Sequence, residues 1–287
     1  MTISVNSVEK YYGNFKALND ASFTIEKGEI VGIVGSNGAG KSTLIDIIIG
    51  FSNPSNGTIE FDYGFENDNV RDFIGYVPEE NTLYEYMTPK GYVLFFADLY
   101  SIPRNISESR VEELFDKLGL YKIDSTIGEM SKGMKRKVLI ARSLIHDPDI
   151  LIYDEPTSGL DPSITREIID FIKSISDSDG KTVILSAHKL GNIERICDTV
   201  LIMNNGSIIS NKSIDDLQAE NTSNKYTIYS TVHITGSVEE NGKYKIGIDD
   251  ISEISQTILE IERNGGEVVD IEKNDVSLEN TFHTLVS

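Results

Sequence analysis

The segment GSNGAGKS, Gly35 to Ser42, constrains the fold more than any other part of this chain. It matches the pattern G-x-x-x-x-G-K-[ST], and it lies between an apolar run at 29–34 and a segment in which Leu44, Ile47 and Ile48 have helical spacing. Glycines let the backbone N–H groups wrap closely around a phosphate, and the start of the helix adds its own N–H groups. The alternative is a glycine-rich turn that only joins strand to helix. The pattern in this context predicts a strand, a phosphate-binding loop and a helix.

Within this loop each residue type has a distinct chemical task. Lys41 is expected to reach the terminal phosphates of a nucleotide, and the Ser42 hydroxyl is expected to be a ligand of Mg²⁺. The residues predicted to contact the nucleotide here are Gly35, Ser36, Asn37, Gly38, Ala39, Gly40, Lys41, Ser42 and Thr43.

Two carboxylates, Asp154 and Glu155, follow the apolar run at 150–153. A buried strand of a parallel sheet delivers the residues after it to the carboxyl edge of the sheet, where such sheets bind ligands. Asp154 is therefore a candidate magnesium ligand, directly or through water, and Glu155 a candidate base for the attacking water. The alternative is an ordinary surface-exposed strand end. Beside a phosphate-binding loop, the pair predicts nucleotide hydrolysis.

A histidine, His188, comes directly after another apolar strand, residues 182–185. It could donate a hydrogen bond to the terminal phosphate, although a lone histidine at a strand end is usually structural. We predict that His188 joins Glu155 and Lys41 in catalysis.

Hydropathy patterns divide the chain into segments of different character. Residues 1–28 alternate around a turn at Gly13-Asn14, which predicts antiparallel strands, and helical signals dominate about 86–146. The apolar runs at 150–153, 183–185 and 200–203 are separated by helical patterns, as in a parallel sheet. The fold class is therefore α/β with a parallel sheet core, an antiparallel β subdomain and a helical lobe.

The character of the chain changes near residue 217, where AENTSN at 219–224 forms a polar, turn-rich linker. We place a domain boundary there, between 1–216 and 217–287. The second part has the pattern of a hairpin (226–234 and 243–248), a helix (251–263), a strand (268–271) and a last helix, which predicts a small accessory α+β domain.

Charge and composition restrict the partners. The chain has 46 Asp and Glu against 26 Lys and Arg, a formal net charge of −20, which disfavours nucleic acid as a partner. The one cysteine, Cys197, cannot form an internal disulfide, and no secretory signal is visible. The longest apolar stretches fall far short of the roughly 20 residues that cross a bilayer as a helix. If a membrane matters, another chain crosses it.

The segment MSKGMKRK, residues 130–137, places four cations in this acidic chain. Taken alone, it is typical of the first turn of an amphipathic helix whose lysines extend to water. The order of the phosphate-binding loop, this segment, the Asp154–Glu155 pair and His188 resembles the nucleotide-binding subunits of ATP-binding cassette (ABC) transporters over residues 3 to about 216. MSKGMKRK stands where that family has its signature, usually LSGGQ, and differs at Met130, Lys132 and Met134.

The resemblance implies an ABC cassette of the P-loop NTPase class that binds ATP and Mg²⁺. In the family two cassettes dimerise head to tail, so Ser131 and Gly133 would close over ATP bound by a second cassette, a homodimer or a close relative. The resemblance also gives Tyr12 the position of the aromatic residue that stacks on adenine, with Tyr11 as a competitor. Asp161, in SGLD, would lie in the loop that links the two sites.

One departure from the family falls in IGYVPEE, residues 74–80, where Glu79 replaces the usual glutamine. A carboxylate there could still contact magnesium or its water, so Glu79 remains a predicted ligand of both metal and nucleotide, with Ser42 and Asp154. It also adds negative charge beside an anionic nucleotide. We interpret it as a mark of the exporter-type branch.

The resemblance implies a peripheral protein on the cytoplasmic face of the cell membrane, bound to an integral membrane transporter subunit. Tyr84, Tyr86 and Met87 suit the contact with that subunit, or else simply pack the lobe. The predicted function is ATP hydrolysis coupled to export. The alternatives are a soluble ABC ATPase acting on ribosomes or DNA, and an ATP-gated regulatory module.

Overall fold

The computed structural model describes residues 2–62, 70–80, 82–120, 125–187, 190–220, 226–240 and 242–273. Its strands are β1 Ile3–Tyr12, β2 Phe15–Ile25, β3 Ile30–Gly35, β4 Asn56–Phe61, β5 Ile74–Val77, β6 Ile150–Tyr153, β7 Thr182–Ala187, β8 Thr199–Asn204, β9 Ser207–Ser213, β10 Tyr226–Ser230, β11 Val238–Glu240, β12 Lys243–Ile248 and β13 Val268–Lys273. Its α-helices are α1 Lys41–Ile48, α2 Pro89–Leu99, α3 Arg104–Lys117, α4 Lys132–Leu144, α5 Pro162–Asp179, α6 Leu190–Ile196, α7 Ile214–Glu220 and α8 Ile251–Arg263. Two short 3₁₀ helices are Val70–Asp72 and Ile127–Glu129.

A six-stranded sheet in the order β5-β6-β7-β3-β8-β9 forms the centre of the first part of the chain. The pairs β5–β6, β6–β7, β7–β3 and β3–β8 are all parallel. Every residue of β3, β6 and β7 is buried, as expected for strands that are covered on both faces and rich in β-branched side chains. The carboxyl ends of β3, β5, β6 and β7 therefore meet at one edge of the sheet.

The second sheet is antiparallel, has the order β2-β1-β4 and begins with the predicted hairpin. Gly13 takes a φ of 60° at its turn, a conformation that glycine adopts without a steric cost. Alternating residues of β1 and β2, such as Val5 and Phe23, join β3 and α1 in one apolar cluster. The hairpin is thereby packed beside the phosphate-binding loop.

The helical lobe consists of α2, α3 and α4, with α2 in contact with both other helices. Thr88 caps α2, where its side chain accepts a hydrogen bond from Gly91 N–H at 3.2 Å, and Pro89 occupies the first helical position. The apolar face of α4 is buried, including Val138, Ala141 and Ile145 at its end. Two sheets and a lobe confirm the predicted α/β class.

The compact unit that contains this sheet and lobe ends at Lys212, and a second unit begins at Ser213, compared with the boundary at 216/217 proposed from the sequence. The second unit has a four-stranded antiparallel sheet, β11-β12-β10-β13. Ile254, Ile258 and Ile261 of α8 belong to the apolar cluster on this sheet. The last helix predicted from the sequence lies outside the described residues.

Among the residues with described structure, no helix combines the length and the apolar character that a membrane span requires.

Candidate nucleotide-binding site

A pocket of about 470 Å³ opens at the carboxyl edge of the central sheet. Its lining combines the phosphate-binding loop with three carboxylates and two residues of β2: Phe15, Ala17, Asn37, Gly38, Ala39, Gly40, Lys41, Ser42, Thr43, Glu79, Asp154 and Glu155. The predicted residues Asn37 to Thr43 and the predicted carboxylates thus share one pocket, although more than 110 residues separate Lys41 from Asp154; the predicted contacts Gly35 and Ser36 are not part of its lining.

The loop between β3 and α1 has a backbone that requires glycine. Gly40 has a φ of 103°, and a Cβ there would lie 2.8 Å from the carbonyl oxygen of Ala17. The loop is also tied to the strand pair β8–β9, where the N–H of Gly206 donates to the Ala39 oxygen at 3.0 Å. These contacts hold the first turn of α1 open toward the pocket.

The ammonium group of Lys41 bridges the loop. Its Nζ donates to the carbonyl oxygen of Gly35 at 2.8 Å and of Ser36 at 3.3 Å. Burial lowers the pKa of Lys41, while the negative charges of Glu155, Asp154 and Glu79 oppose that shift. A nucleotide phosphate would supply further acceptors for this lysine, as the sequence predicts.

A serine that the sequence analysis missed orients the two carboxylates after β6. Ser186, in β7, donates from Oγ to Asp154 Oδ1 at 2.5 Å and accepts the N–H of Glu155 at 2.8 Å. Both carboxylates are 5% exposed, and Glu155 has a φ of 48°. This left-handed conformation is uncommon outside glycine and often marks functional sites. The signal in the sequence was a polar residue within the apolar run VILSA.

A buried arginine that the sequence analysis also missed holds the loop that carries Glu79. Arg136, in α4, donates from Nη1 to the Pro78 oxygen at 2.6 Å and from Nη2 to the Glu79 oxygen at 2.5 Å. Its side chain is fully buried. The signal in the sequence was a cation on the otherwise apolar face of α4, one helical turn before Ile140.

The aromatic side chain in the pocket is Phe15, whereas the family resemblance implied Tyr12, with Tyr11 as a competitor. The two residues are paired across the β1–β2 hairpin. Tyr12 is 51% exposed, is absent from the pocket lining, and has the Lys10 Nζ at 5.2 Å from its ring centroid. Phe15 is 65% exposed, so an adenine base would find a free aromatic face there.

The signature segment lies apart from this pocket. Ser131 caps α4, where its Oγ accepts the N–H of Met134 at 3.2 Å, and Gly133 packs against Ile164. Asp161 caps α5 in the same way, with Oδ1 accepting the N–H of Ile164 at 3.1 Å. Ser131, Gly133 and Asp161 line no part of the pocket around Lys41, which is the arrangement that a site completed by a second chain requires.

Three of the four cations in MSKGMKRK are engaged within the chain. Lys135 pairs with Glu85 at 2.8 Å and Lys137 with Glu167 at 2.7 Å, and Arg136 binds the two loop carbonyls. The Lys132 ammonium lies against Gly159 of the SGLD segment. The cations of the segment therefore connect α4 to neighbouring parts of the chain: the segment before α2, the loop after β5, and α5.

The third predicted catalytic residue, His188, lies outside the described residues. It follows Ala187, the last residue of β7.

The residues predicted to bind Mg²⁺ offer a suitable but incomplete ligand set. Within the described ranges, no group of three or more His, Cys, Asp or Glu side chains could hold a metal ion alone. Ser42, Asp154 and Glu79 line the same pocket and present only oxygen atoms. Mg²⁺ typically binds to one or two carboxylates together with the phosphates of its nucleotide, and this set fits that mode.

Comparison with known proteins gives a consistent result. The family profile described as ABC transporter matches residues 18–158. The ABC transporter ATP-binding protein NatA of Bacillus subtilis (strain 168) is 39% identical over 208 residues, which are 70% of this chain and 84% of NatA. The bacitracin transport ATP-binding protein BcrA of Enterococcus faecalis is 29% identical over 99% of this chain and 96% of its own length. A dimeric bacterial ABC transporter cassette superimposes with a TM-score of 0.67 and 27% identity, covering 74% of this chain and 98% of the cassette.

Proposed function

Because this chain belongs to the ABC transporter ATP-binding family, whose members hydrolyse ATP, we propose that it works as one half of a cassette dimer that drives export through a separate membrane subunit. The dimer is supported by the observation that the residues predicted to contact ATP do not all line one pocket of this chain. Lys41, Asp154 and Glu155 share one pocket, whereas Ser131 and Gly133 do not line it. A second cassette would bring the missing half.

The roles we propose follow from the geometry of the pocket. Lys41 binds the terminal phosphates, and Ser42, Asp154 and Glu79 hold Mg²⁺, which neutralises phosphate charge when it is bound. Glu155, positioned through its N–H by Ser186, accepts a proton from the attacking water. His188, which lies outside the described residues, keeps the role predicted from the sequence, a hydrogen bond to the terminal phosphate.

Export, rather than import, is supported by the relatives. BcrA is named for bacitracin transport, and its match includes the second unit of this chain. Other relatives are named for Nod factor export and linearmycin resistance. The membrane subunit would place the chain at the cytoplasmic face of the membrane. Exposed Tyr84 and Tyr86, stacked with ring centroids 6.2 Å apart, suit a contact with it.

A substitution of the proposed base tests the mechanism. Glu155→Gln should lower ATP turnover by about 10²-fold or more, since general base catalysis is worth that much, while leaving the dissociation constant for ATP nearly unchanged. The measurements are phosphate release and equilibrium binding of ATP. Glu113→Gln, an exposed acid of α3, is the control and should behave like the parent. Parental turnover in Glu155→Gln would contradict the role of Glu155.

Crosslinking tests the dimer. Asn37→Cys and Ser131→Cys are introduced together into the Glu155→Gln chain, whose own Cys197 is buried. We expect ATP to promote a disulfide between two molecules and Lys41→Ala to abolish it. Disulfide formation that is independent of ATP, or none at all, would contradict a clamp between Lys41 and Ser131.

A further inference from the structure

Arg136 connects the signature helix α4 to the nucleotide pocket. Its side chain is 0% exposed, and its two Nη atoms donate to the backbone oxygens of Pro78 and Glu79. Both oxygens belong to the loop that follows β5 and brings the Glu79 side chain to the pocket lining. The guanidinium group therefore contacts the backbone of Glu79, the residue whose side chain adds a carboxylate to the site.

The charged side chains that line the pocket are mostly negative. Glu79, Asp154 and Glu155 line the pocket, and among its described lining residues Lys41 alone carries positive charge. An anionic nucleotide would add further negative charge at the same place. Burial lowers the pKa of Arg136, and Glu79 is the strongest of the three carboxylates that oppose this shift, ahead of Asp154 and Glu155. Of these three carboxylates, Glu79 thus interacts most strongly with the charge of Arg136.

Packing of the protein interior does not by itself explain why an arginine occupies this position. Its Nε–H is buried and has no hydrogen-bond partner among the described residues. An unpaired buried donor costs stability, and an apolar side chain of similar volume would often serve a protein interior better than a buried charge. An apolar residue, however, would supply no positive charge next to Glu79.

We propose that Arg136 is a positioning residue and counter-charge for Glu79: it fixes the backbone of the Glu79 loop and offsets the carboxylate, so that this carboxylate can stand beside an anionic nucleotide. The inference rests on the proposed function, because it requires ATP in the pocket around Lys41. Arg136 acts through Glu79 and touches no nucleotide itself.

A double-substitution cycle on ATP affinity tests the pair. The full chain is compared with Glu79→Gln, Arg136→Gln and the double variant by equilibrium binding of ATP, with and without Mg²⁺. We expect Arg136→Gln to weaken ATP binding about tenfold in the parent chain and less than about threefold in the Glu79→Gln chain, since only the first case leaves a carboxylate unopposed. Equal factors in the two backgrounds would overturn the proposal.

Two further variants separate charge from packing. Arg136→Lys keeps the charge but loses the planar fork that binds two carbonyl oxygens, so its loss of ATP affinity should be smaller than that of Arg136→Gln. A loss as large as that of Arg136→Gln would overturn the counter-charge. Arg110→Gln removes an equivalent bond, from Nη1 to the Ile145 oxygen at 2.7 Å within the lobe, and should leave ATP affinity unchanged.

A single substitution keeps the test decisive if Arg136→Gln does not fold. Glu79 is exposed, so Glu79→Gln should fold normally. Measured without Mg²⁺, so that loss of a proposed metal ligand does not enter, Glu79→Gln with Arg136 in place should tighten ATP binding by less than about threefold, because the charge it removes is already offset. A tightening of about tenfold or more would overturn the inference.

The outcomes distinguish this inference from the function on which it rests. A parent chain that binds no ATP, or binds it equally well after Lys41→Ala, overturns the proposed function and the inference together. A chain that binds ATP through Lys41 but shows no dependence of the Arg136 effect on Glu79 overturns the inference alone.

Discussion

At the scale of single residues, the aromatic contact with the base is the clearest difference between sequence pattern and structure. The family resemblance gives Tyr12 the position that stacks on adenine, with Tyr11 as a competitor, but Phe15, which pairs with Tyr12 across the β1–β2 turn, lines the pocket instead. The two-residue turn already fixes the pairing of Tyr12 with Phe15, but which of the two lines the pocket depends on how the hairpin packs beside the central sheet, and a motif does not encode that packing.

Phe15→Ala should therefore weaken ATP binding about tenfold, because stacking of a base on an aromatic ring is worth about 1–3 kcal/mol. Tyr12→Ala should change it less than about threefold, since Tyr12 does not line the pocket. The measurement is the dissociation constant of ATP, with inorganic triphosphate as the control ligand that lacks a base. A larger effect at Tyr12 than at Phe15 would restore the expectation from sequence.

His146 should make stability depend on pH. Its ring stacks on Tyr100 with centroids 4.0 Å apart, and its Nε2 lies 3.2 Å from the Ile74 oxygen. Burial, with smaller effects of Lys181 and Arg110, lowers its pKa to about 4, against opposition from the Ile74 oxygen and Asp72. The folded chain keeps this histidine neutral in the range where the unfolded chain binds a proton.

Because the unfolded state binds more protons between pH 6.5 and about 4, stability should fall as pH falls through this window. From pH 7.5 to 5.0 the expected loss is about 1–2 kcal/mol from this residue. Urea unfolding followed by circular dichroism at both pH values measures it. His146→Asn should remove this part of the pH dependence, and His233→Asn should not; an identical slope in His146→Asn would contradict the assignment.

At the scale of elements, the strands and helices follow the hydropathy pattern closely where a segment is a continuous apolar run or a long periodic stretch. The sequence predicts β6 at 150–153 and α8 at 251–263, and both match residue for residue. Short or polar strands were missed: β4 and β9 have mostly exposed or half-buried residues, so neither alternation nor an apolar run marks them. Their place is set by pairing with β1 and by adjacency to β8.

The residues of the candidate nucleotide-binding site also divide into those that the sequence predicts and those that it does not. Motifs whose chemistry depends on consecutive residues, the phosphate-binding loop and the Asp154–Glu155 pair, could be predicted. Ser186 and Arg136 could not be assigned, because their partners lie 31 or more residues away and only the packing of β7 and α4 brings them together.

The packing of β5 against α4 depends on a glycine. A Cβ on Gly75 would overlap the backbone oxygen of Ser143, which belongs to the helix and cannot rotate away. Gly75→Ala should therefore lower the free energy of unfolding by about 2 kcal/mol or more, as overpacking typically does.

The matched control is Gly191→Ala in α6, where no atom lies within 4 Å of the added Cβ and alanine favours the helix. Urea unfolding should show no loss of stability for this variant. Similar losses for both would mean that the close approach of β5 to α4 is not the cause.

At the scale of the whole molecule, all described residues of the pocket belong to the unit that ends at Lys212. A chain of residues 1–212 should therefore fold and bind ATP within about threefold of the full chain, since compact units with their own core can fold alone. Equilibrium ATP binding and a cooperative thermal transition are the measurements. A truncated chain that melts cooperatively but loses ATP would assign part of the site to residues 213–287.

The strand order has a consequence for how the chain is made. Strand β3, which ends at the phosphate-binding loop, has β7 and β8 as its two sheet neighbours, and both are synthesised far later. At typical rates of about 5–20 residues per second, the roughly 150 residues between β3 and β7 take on the order of 10 s to emerge from a ribosome. During that interval neither edge of this buried strand has its partner, so the phosphate-binding loop lacks its neighbouring strands and the carboxylates after β6 lack Ser186, and the complete pocket forms only after β7 has been made.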